Sequence, residues 1–572
     1  MNWRSTSVAS TLIVALLVVL TLDVTGAPLA HLGPALTAPS NAPVPGVPPS
    51  AGGSVCITGA GGSDSVADVL LFAPPLPPSL VSAAVAQAGT AVVDPETADA
   101  RGVVLAVRED SERSAIGPLA PGALDRVRLE LGTDGWVWAG WADHPLTVWQ
   151  EWRTGGAPGE PRGAVAARCV PSDAPRWTVL GLRTDRGNES LLRIVNPYVA
   201  DATFAVTLIT PDGPVDPIAL RNISVPSGAR ITVRLNDHVP EQSDVAALVT
   251  VGAGRVAVEG LQRAVSGVGG VEGVSVVPAV TAPSVTWTMP WVPLGADVDG
   301  AIWVLNPEPR TVVVQLTLHT AQGTAVAEGL DSVEVGPGAL VHIGSSDLAL
   351  DGRQVLGVTL RSETTAVFVA AGAQFLAAAD AADAAGTGVV RYAASPAADP
   401  EWSIAGTSDP QRDTTLHVVN LAETDAPLRV TLTTIRTATA DGEASVDGEA
   451  SADGEASESS VTSVLEPGQL VPGGVARIPL PLEGAGAWSA VVTGGPALVV
   501  SRTTLGRELL EPVATDAVAS RTWLIPARAL SGRSLDGWVA RLGTPADLRR
   551  EARAVGEDDD RLDEPSGAAG RP

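Results

Sequence analysis

Residues 301–318 read AIWVLNPEPRTVVVQLTL, and the pattern returns as LLRIVNPYVADATFAVTL at 191–208 and as TLHVVNLAETDAPLRVTL at 415–432. Each copy is an apolar run that ends at an asparagine, followed by a stretch in which every second residue is apolar. A period of two is typical of a β-strand with one buried face. Proline after the asparagine ends a strand in a turn. We therefore expect a repeated strand–turn–strand unit and an all-β protein.

Three further landmarks recur around this stretch. Apolar residues stand 8, 10 and 12 positions after the asparagine, namely Phe204, Val206 and Leu208, then Val314, Leu316 and Leu318, then Leu428, Val430 and Leu432. A weaker copy, counted from Ala73, holds Val81, Ala83 and Val85. The units open on Trp177, Trp287 and Trp402, with Cys56 at the corresponding place in the first. Turn sequences with glycine follow at Pro121-Gly122, Pro226-Ser227-Gly228, Pro337-Gly338 and Pro472-Gly473.

These landmarks predict four tandem β-sandwich modules of the immunoglobulin-like kind. We call them repeats 1 to 4 and expect them at 54–170, 171–280, 281–396 and 397–525. Arg521 to Pro526 resembles a further opening strand, although no fifth repeat follows. One hypothesis is that each Trp strand partly completes the preceding repeat and locks the repeats into a semi-rigid rod; the alternative is a vestigial duplication.

The two ends of the chain differ in composition from the repeats. Residues 1–27 carry Arg4 and the apolar run LIVALLVVLTL, which predicts a secretory signal peptide or an uncleaved signal anchor. Residues 28–53 are rich in proline, alanine and glycine, as expected of a linker or stalk. Residues 526–572 predict a disordered acidic tail. We therefore expect an extracytoplasmic protein, either secreted or anchored, that meets the membrane only through its N-terminal segment.

The charge of the chain limits its partners. Sixty-four acidic residues stand against 37 basic ones, which gives a net charge of −27. An acidic chain repels polyphosphates, so we expect no nucleic acid partner and no binding to anionic lipid headgroups. The same charge is typical of a soluble exported protein.

The two cysteines, Cys56 and Cys169, stand at opposite ends of repeat 1. An even pair in an exported chain favours a disulfide, which would stabilise the repeat by roughly 4–5 kcal/mol in the loop-entropy description. A metal or redox pair is the alternative, but the CxxC spacing and a nearby histidine are lacking in the sequence.

The densest chemical feature is a tryptophan cluster in a predicted hairpin of repeat 1. Its members are Trp136, Trp138, Trp141, Trp149 and Trp152. Exposed indole faces could stack on sugar rings or on a protein partner, so the cluster is a candidate binding surface. The alternative is core packing, because Trp136 and Trp138 share one strand face and the matching hairpin of repeat 2 has small apolar residues instead.

Other polar features predict no catalytic or metal site. The insertion at 441–458 repeats Asp-Gly-Glu-Ala-Ser, but its period of six fits neither an EF-hand nor a calcium β-roll, so a flexible acidic loop is expected. The six histidines do not recur between repeats, since His417 corresponds to Trp303 and Arg193. HExxH, GxSxG and phosphate-loop motifs are lacking, and we assign no catalytic residue, metal or cofactor. A carboxylate pair of a glycosidase could still form in space.

In its layout, the chain resembles a family of uncharacterised actinobacterial envelope proteins, known as a domain of unknown function. The resemblance covers residues 1–525 and rests on the N-terminal segment, the Pro-rich linker, the cysteine-flanked first repeat and the Trp and Asn-Pro positions. It implies a secreted or membrane-anchored protein, often encoded near glycosyltransferases, and carries over no activity or site residues. The leading hypothesis is a non-enzymatic β-scaffold that binds envelope glycan or protein. The alternatives are a glycan-processing hydrolase and a purely structural surface spacer.

Overall fold

The computed structural model describes most of the four repeats. The described residues belong to one compact unit. They are 51–58, 66–73, 102–108, 113–119, 123–130, 136–142, 147–154, 161, 163–171, 174–198, 200–265, 271–294, 298–326, 329–348, 354–363, 365–376, 387–408, 412–437, 458–483, 486–506, 513–516 and 518–519. The predicted signal, most of the linker and acidic insertion, the motif at 521–526 and the tail lie outside them.

The described residues form 36 β-strands and three short 3-10 helices, and they include no α-helix. The all-β class is therefore confirmed. The alternation that predicted it is visible in the burial of individual strands, where Phe204, Val206 and Leu208 are buried and the residues between them are partly exposed. Val314, Leu316 and Leu318 repeat this pattern.

Repeat 1 contains two sheets. Its strands are β1 (Ala51–Ile57), β2 (Val66–Phe72), β3 (Gly102–Arg108), β4 (Arg113–Leu119), β5 (Leu124–Glu130), β6 (Trp136–Ala142), β7 (Thr147–Thr154), β8 (Gly163–Arg168) and β9 (Val170–Pro171). The strand orders are β4-β3-β6-β1-β9 and β5-β2-β7-β8. The predicted disulfide joins Cys56 to Cys169 across a Cα–Cα distance of 4.5 Å, and both residues are buried.

Repeat 2 has the same order of strands with a short insertion. Its strands are β10 (Arg176–Leu182), β11 (Asn188–Val195), β12 (Ala202–Thr210), β13 (Gly213–Val215), β14 (Ile223–Val225), β15 (Arg230–Arg234), β16 (Val245–Ala253), β17 (Ala257–Ala264), β18 (Gly273–Val277) and β19 (Ala279–Val280). The 3-10 helices are Ile218–Leu220 and Leu235–Asp237. The sheets are β13-β12-β16-β10-β19, with β14 also on β12, and β15-β11-β17-β18.

Repeat 3 follows the same plan. Its strands are β20 (Thr286–Met289), β21 (Val298–Leu305), β22 (Val312–Thr320), β23 (Gly323–Ala325), β24 (Val333–Val335), β25 (Leu340–Gly344), β26 (Gly357–Ser362), β27 (Phe368–Phe375) and β28 (Gly388–Ala393), with a 3-10 helix at Ser345–Leu348. The sheets are β20-β26-β22-β23, with β24 on β22, and β25-β21-β27-β28.

In repeat 4 one long strand pairs with strands that form two separate sheets in the other repeats. The strands are β29 (Asp399–Thr407), β30 (Arg412–Asn420), β31 (Ala426–Thr437), β32 (Glu458–Leu470), β33 (Val475–Pro479), β34 (Ala487–Gly506), β35 (Val513–Asp516) and β36 (Val518–Ala519). The first part of β34 pairs with β29 and β31, and its second part pairs with β30 and β35. The eight strands therefore count as one sheet.

Each repeat closes on itself. Its last residues pair with its own opening strand, as β9 does with β1, β19 with β10 and β36 with β29. In repeat 3 a single bridge between Thr288 and Ser395 takes this place. The strands of Trp177, Trp287 and Trp402 pair within their own repeats in the described chain, so the hypothesis that a Trp strand adds to the sheet of the preceding repeat is wrong for these three. Among the described residues, Trp177 contributes to the preceding repeat only through an apolar cluster that it shares with Trp136.

The recurring asparagine clips the turn that follows it. Asn196, Asn306 and Asn420 are fully buried. Each side-chain amide donates to the carbonyl four residues ahead and to a carbonyl of the strand before the glycine turn. Each side-chain oxygen accepts from the backbone N–H two residues ahead. The asparagine is therefore fixed by hydrogen bonding, with or without the proline after it.

The repeats do not form a linear array. Strands β8, β18, β28 and β35, which are equivalent in the four repeats, lie side by side in that order, and β35 returns to β8. They approach closely, because a β-carbon at Gly273 would lie 2.7 Å from the backbone nitrogen of Val389. The same holds at Gly163, where it would lie 3.0 Å from the nitrogen of Val274. Repeat 4 thus meets repeat 1, and the four repeats follow one another in a closed ring. The rod with two free ends that the sequence suggested is not formed by the described repeats.

Candidate functional site

The described tryptophans of the cluster are buried between repeats. Trp149 packs with Leu70 and Phe72 in an apolar cluster that also contains Trp402 and Trp488 of repeat 4. Trp149 is completely buried, and its strand β7 lies against β29. The partner of this indole is therefore the far end of the same chain.

Two more members of the cluster face repeat 2. Trp152 packs with Leu261 and Val276, and Trp136 joins the core cluster that contains Trp177. Both are 2% exposed. A surface platform needs an accessible ring face, so the binding-surface interpretation does not hold for Trp136, Trp149 and Trp152. Trp138 and Trp141 lie in β6, and their side chains are outside the described part of the chain.

Strand β7 also supplies the polar contact that closes the ring of repeats. Arg502 donates to Oε1 of Glu151 at 2.7 Å, and its guanidinium lies 5.4 Å from the centroid of the Trp488 ring. The other oxygen of Glu151 accepts from the backbone N–H of Thr407 at 3.0 Å and from the Thr407 hydroxyl. Both carboxylate oxygens are thus engaged, as a nearly buried charge requires. Glu151 joins repeat 1 to repeat 4.

The residue before Glu151 points to the other neighbour. Gln150 donates to Oε2 of Glu259 in repeat 2 at 2.7 Å, and Arg193 forms an ion pair with the same carboxylate. The Arg193 guanidinium lies 5.9 Å from the centroid of the Trp152 ring. Because neighbouring strand residues point to opposite faces, β7 binds repeat 2 with Gln150 and Trp152, and repeat 4 with Trp149 and Glu151.

A carboxylate and an indole hold the interface between repeats 2 and 3. Trp303 Nε1 donates to Oδ1 of Asp244 at 2.6 Å, and His342 Nδ1 lies 3.1 Å from the same oxygen. Burial would raise the pKa of Asp244, but the hydrogen bonds from His342 and Trp303 outweigh it and lower the pKa to about 2. The hydrogen bond to Asp244 raises the pKa of His342 above its usual value, against its partial burial.

A buried arginine crosses the same interface. Arg391 donates through Nε to the carbonyl of Gly181 at 2.7 Å and through Nη1 to the carbonyls of Ala373 and Val390. Its guanidinium lies 4.9 Å from the centroid of the Trp303 ring. Burial lowers the pKa of Arg391 to about 9. The cation is balanced by carbonyl dipoles and an indole face.

Neutral side chains hold the interface between repeats 3 and 4. His319 Nδ1 lies 2.8 Å from the carbonyl of Gly473, and a carbonyl can only accept, so this nitrogen carries the proton. His417 lies with its ring centroid 6.0 Å from that of Trp291. Burial lowers the pKa of both histidines, to about 3 for His417, where the charge of Arg477 adds to the effect.

One position of the repeat accounts for much of this pattern. Arg193, Trp303 and His417 stand three residues before the buried asparagines, and Leu70 stands three before Ala73. Each of the four faces the preceding repeat in the ring, with Leu70 facing repeat 4. The sequence showed that these positions correspond but not that they are contacts. In repeats 2 to 4, the signal that could have identified them is one large polar or aromatic residue in an otherwise apolar run before the asparagine.

The described residues also place two carboxylates near each other. Arg183 is paired with Asp185 at 2.8 Å and with Asp299 of repeat 3 at 3.1 Å. The pair is held by the guanidinium between its members, and Asp299 is half exposed. No group of three histidine, cysteine, aspartate or glutamate residues in the described ranges is placed to hold a metal ion.

The family comparison covers most of the ring. A family model described as a family of unknown function (DUF5719) matches residues 142–460. The chain belongs to this family. The matched part begins in β6, ends in β32 and includes Glu151, Glu259, Asp244 and His417. None of the curated proteins matches the chain. Among the described residues no helix is long and apolar enough to span a bilayer.

Proposed function

We propose that this member of DUF5719 is an exported, non-enzymatic protein of the cell envelope, and that its β-repeats act as a rigid scaffold for glycan or protein. The observation that carries the proposal is the use of the buried ionisable groups. Arg193 and Glu259 lie at the interface between repeats 1 and 2. Asp244 and Arg391 lie at the interface between repeats 2 and 3. Arg502 lies at the contact between repeats 4 and 1.

Two buried histidines follow the same pattern, since His319 and His417 lie at the interface between repeats 3 and 4. Asp399 is also buried and caps its own strand, where it accepts from the backbone of Glu401. Enzyme sites bring perturbed ionisable groups together at a substrate cleft. Here such groups are spread around the ring and bind other parts of the same chain, which favours a framework over a catalyst.

The disulfide supports export. Buried disulfides persist in oxidising compartments and are rare in the cytosol. Cys56 and Cys169 are joined within an apolar cluster of repeat 1 that includes Val148 of β7. The composition of residues 1–27 supports the same compartment.

Export is tested by the redox state of the two cysteines in cells that make the full chain. Acid quenching followed by a maleimide that adds mass should leave the full chain unlabelled until it is reduced. A matched chain without residues 2–27 should be labelled on both thiols without reduction. Free thiols in the full chain would contradict export.

The scaffold role is tested with the purified full chain on a support, exposed to envelope glycans and envelope proteins. We expect retention of one of these classes without release of new reducing ends. New reducing ends that disappear in Asp185→Asn/Asp299→Asn would replace the proposal by the hydrolase. Retention of neither class would leave the surface spacer.

A further inference from the structure

The interface between repeats 3 and 4 differs from the others in its chemistry. Its described contacts are apolar or neutral. Leu356 packs with Val419 and Val475, His319 bonds Gly473, and His417 faces Trp291. The other three interfaces each contain a carboxylate held by donors, namely Glu259, Asp244 and Glu151.

His417 is buried in a site built for the neutral ring. It is 3% exposed, and Nε2 lies 2.8 Å from the Thr503 hydroxyl. Nδ1 is buried and has no hydrogen-bond partner. A protonated ring has two N–H groups, and the one at Nδ1 would lack an acceptor.

The surroundings of His417 also oppose its protonation. It pairs across the sheet with Arg477 on β33 and with Ser501 on β34, and Trp291 covers it from repeat 3. Arg477 is a cation, and its charge opposes a second positive charge nearby. The indole face would attract an imidazolium, but at 6.0 Å this offsets only part of the lost hydration.

His319 is the second titratable group at this interface, and it is more tolerant of a proton. Its Nε2 lies 2.7 Å from the Thr359 hydroxyl, which in turn lies 2.9 Å from the hydroxyl of Thr288. On protonation Nε2 becomes a donor, and the two hydroxyls can rotate so that each bond is kept. Burial still opposes its charge, so it acts in the same direction as His417 with a smaller effect.

We propose that the contact between repeats 3 and 4 is an acid-labile joint, in which a proton on His417 separates the two repeats while the other interfaces hold. Opening exposes His417 to water, where it takes up a proton at its ordinary pKa. Acid therefore favours the open form, and the closed ring is restored when the pH rises. This inference goes beyond the scaffold role and does not depend on export.

Hydrogen exchange of the full chain tests the joint. The reporting peptides are 354–360, where the Leu356 N–H donates to His319 O, and 471–476 in the facing turn. After correction for intrinsic rates, we expect the opening equilibrium to rise about tenfold for each pH unit below 6.5, or about 100-fold at pH 4.5. For peptides at β25, in the interface between repeats 2 and 3, the opening equilibrium should not rise as the pH falls.

Variants assign the effect to one residue. His417→Gln and His417→Phe should each remove most of the rise and leave only the smaller contribution of His319, whereas the matched control His342→Gln should keep the full rise. Two substitutions of different size guard against a loss of folding in one of them. The joint is excluded if both variants keep the wild-type pH dependence, or if peptides throughout the chain lose protection together.

Discussion

At the interface between repeats 2 and 3, Trp303 donates to Asp244, which also holds His342. At the next interface the equivalent residue is His417, which faces Trp291 and feels the charge of Arg477. The same strand position thus supports an interface that favours charge in one case and neutral groups in the other. Low pH should weaken the interface between repeats 3 and 4, and a rise above neutrality should weaken the interface between repeats 2 and 3.

The difference shows how a duplicated module can acquire specific neighbours. The strand pairing around this position is equivalent in repeats 3 and 4, since Trp303 pairs with Ala370 and His417 with Ser501 at equivalent register. An indole N–H at this position would be poorly satisfied against Trp291, because an indole offers a donor and no acceptor. The residue at this position therefore favours one neighbour over another.

The largest expected effect comes from Trp303→Ala. The substitution removes a buried indole, the donor to Asp244 and the ring beneath Arg391. We expect the free energy of unfolding to fall by about 3–5 kcal/mol, measured by urea denaturation. His417→Ala should cost only about 1–2 kcal/mol at pH 7, because it removes a smaller ring with one hydrogen bond.

Trp303→Phe serves as the matched control for the first substitution. It keeps an aromatic face for Arg391 but leaves Asp244 without the indole donor, so about 1–3 kcal/mol should be lost. Equal losses for alanine and phenylalanine would mean that the ring itself contributes nothing to the interface.

A second effect tests how closely the central strands approach. Gly273→Ala places a β-carbon 2.7 Å from the nitrogen of Val389 in repeat 3, so β18 and β28 must move apart. We expect a loss of about 1–3 kcal/mol in urea denaturation. At Gly336 the nearest atom to an added β-carbon is 3.7 Å away, so Gly336→Ala should be neutral or stabilising by less than about 1 kcal/mol. Similar losses at both positions would argue against the close packing.

The sequence predicts the sheets better than their arrangement. Alternation at Phe204, Val206 and Leu208 shows which side of a strand is buried, because the period of two follows directly from strand geometry. It does not show whether the burying surface belongs to the same repeat. Trp149 and Trp152 are the clearest example, since both are buried, but against different repeats.

The interface residues were harder to predict for a related reason. Glu151 and Arg502 are 351 positions apart in the chain, and nothing local to either marks the pair. Arg193, Trp303 and His417 lack a shared chemistry, so their lack of recurrence argued against a function. Contact with a neighbouring repeat is a property that equivalent positions can share while their residue types differ.

The acid limit of Asp244 is a further test of the first interface. Its folded pKa of about 2 lies below the ordinary 3.8, so its contribution to stability is present above pH 3.8 and is lost as the pH falls towards 2. We expect amide protection in β21 and β25 to decline across this window in the wild type. Asp244→Asn should start with less protection and decline less steeply; parallel curves would show that the carboxylate has no part in the decline.

The smallest expected effect is at His342, and its sign is opposite to that at His417. The pKa of His342 is raised in the folded chain, so its contribution is fully present below pH 6.5 and is lost as the pH rises through the folded value. His342 is 39% exposed on its side chain, and solvent screening limits the effect to about 0.5–1 kcal/mol. Hydrogen exchange in β25 between pH 6 and 8.5 should show a small loss of protection in the wild type and none in His342→Gln. If the wild type and His342→Gln lose the same protection, His342 does not stabilise Asp244 and Trp303 is its only effective donor of the two. The difference between the two interfaces would then depend on Trp303 and Asp244 and not on His342.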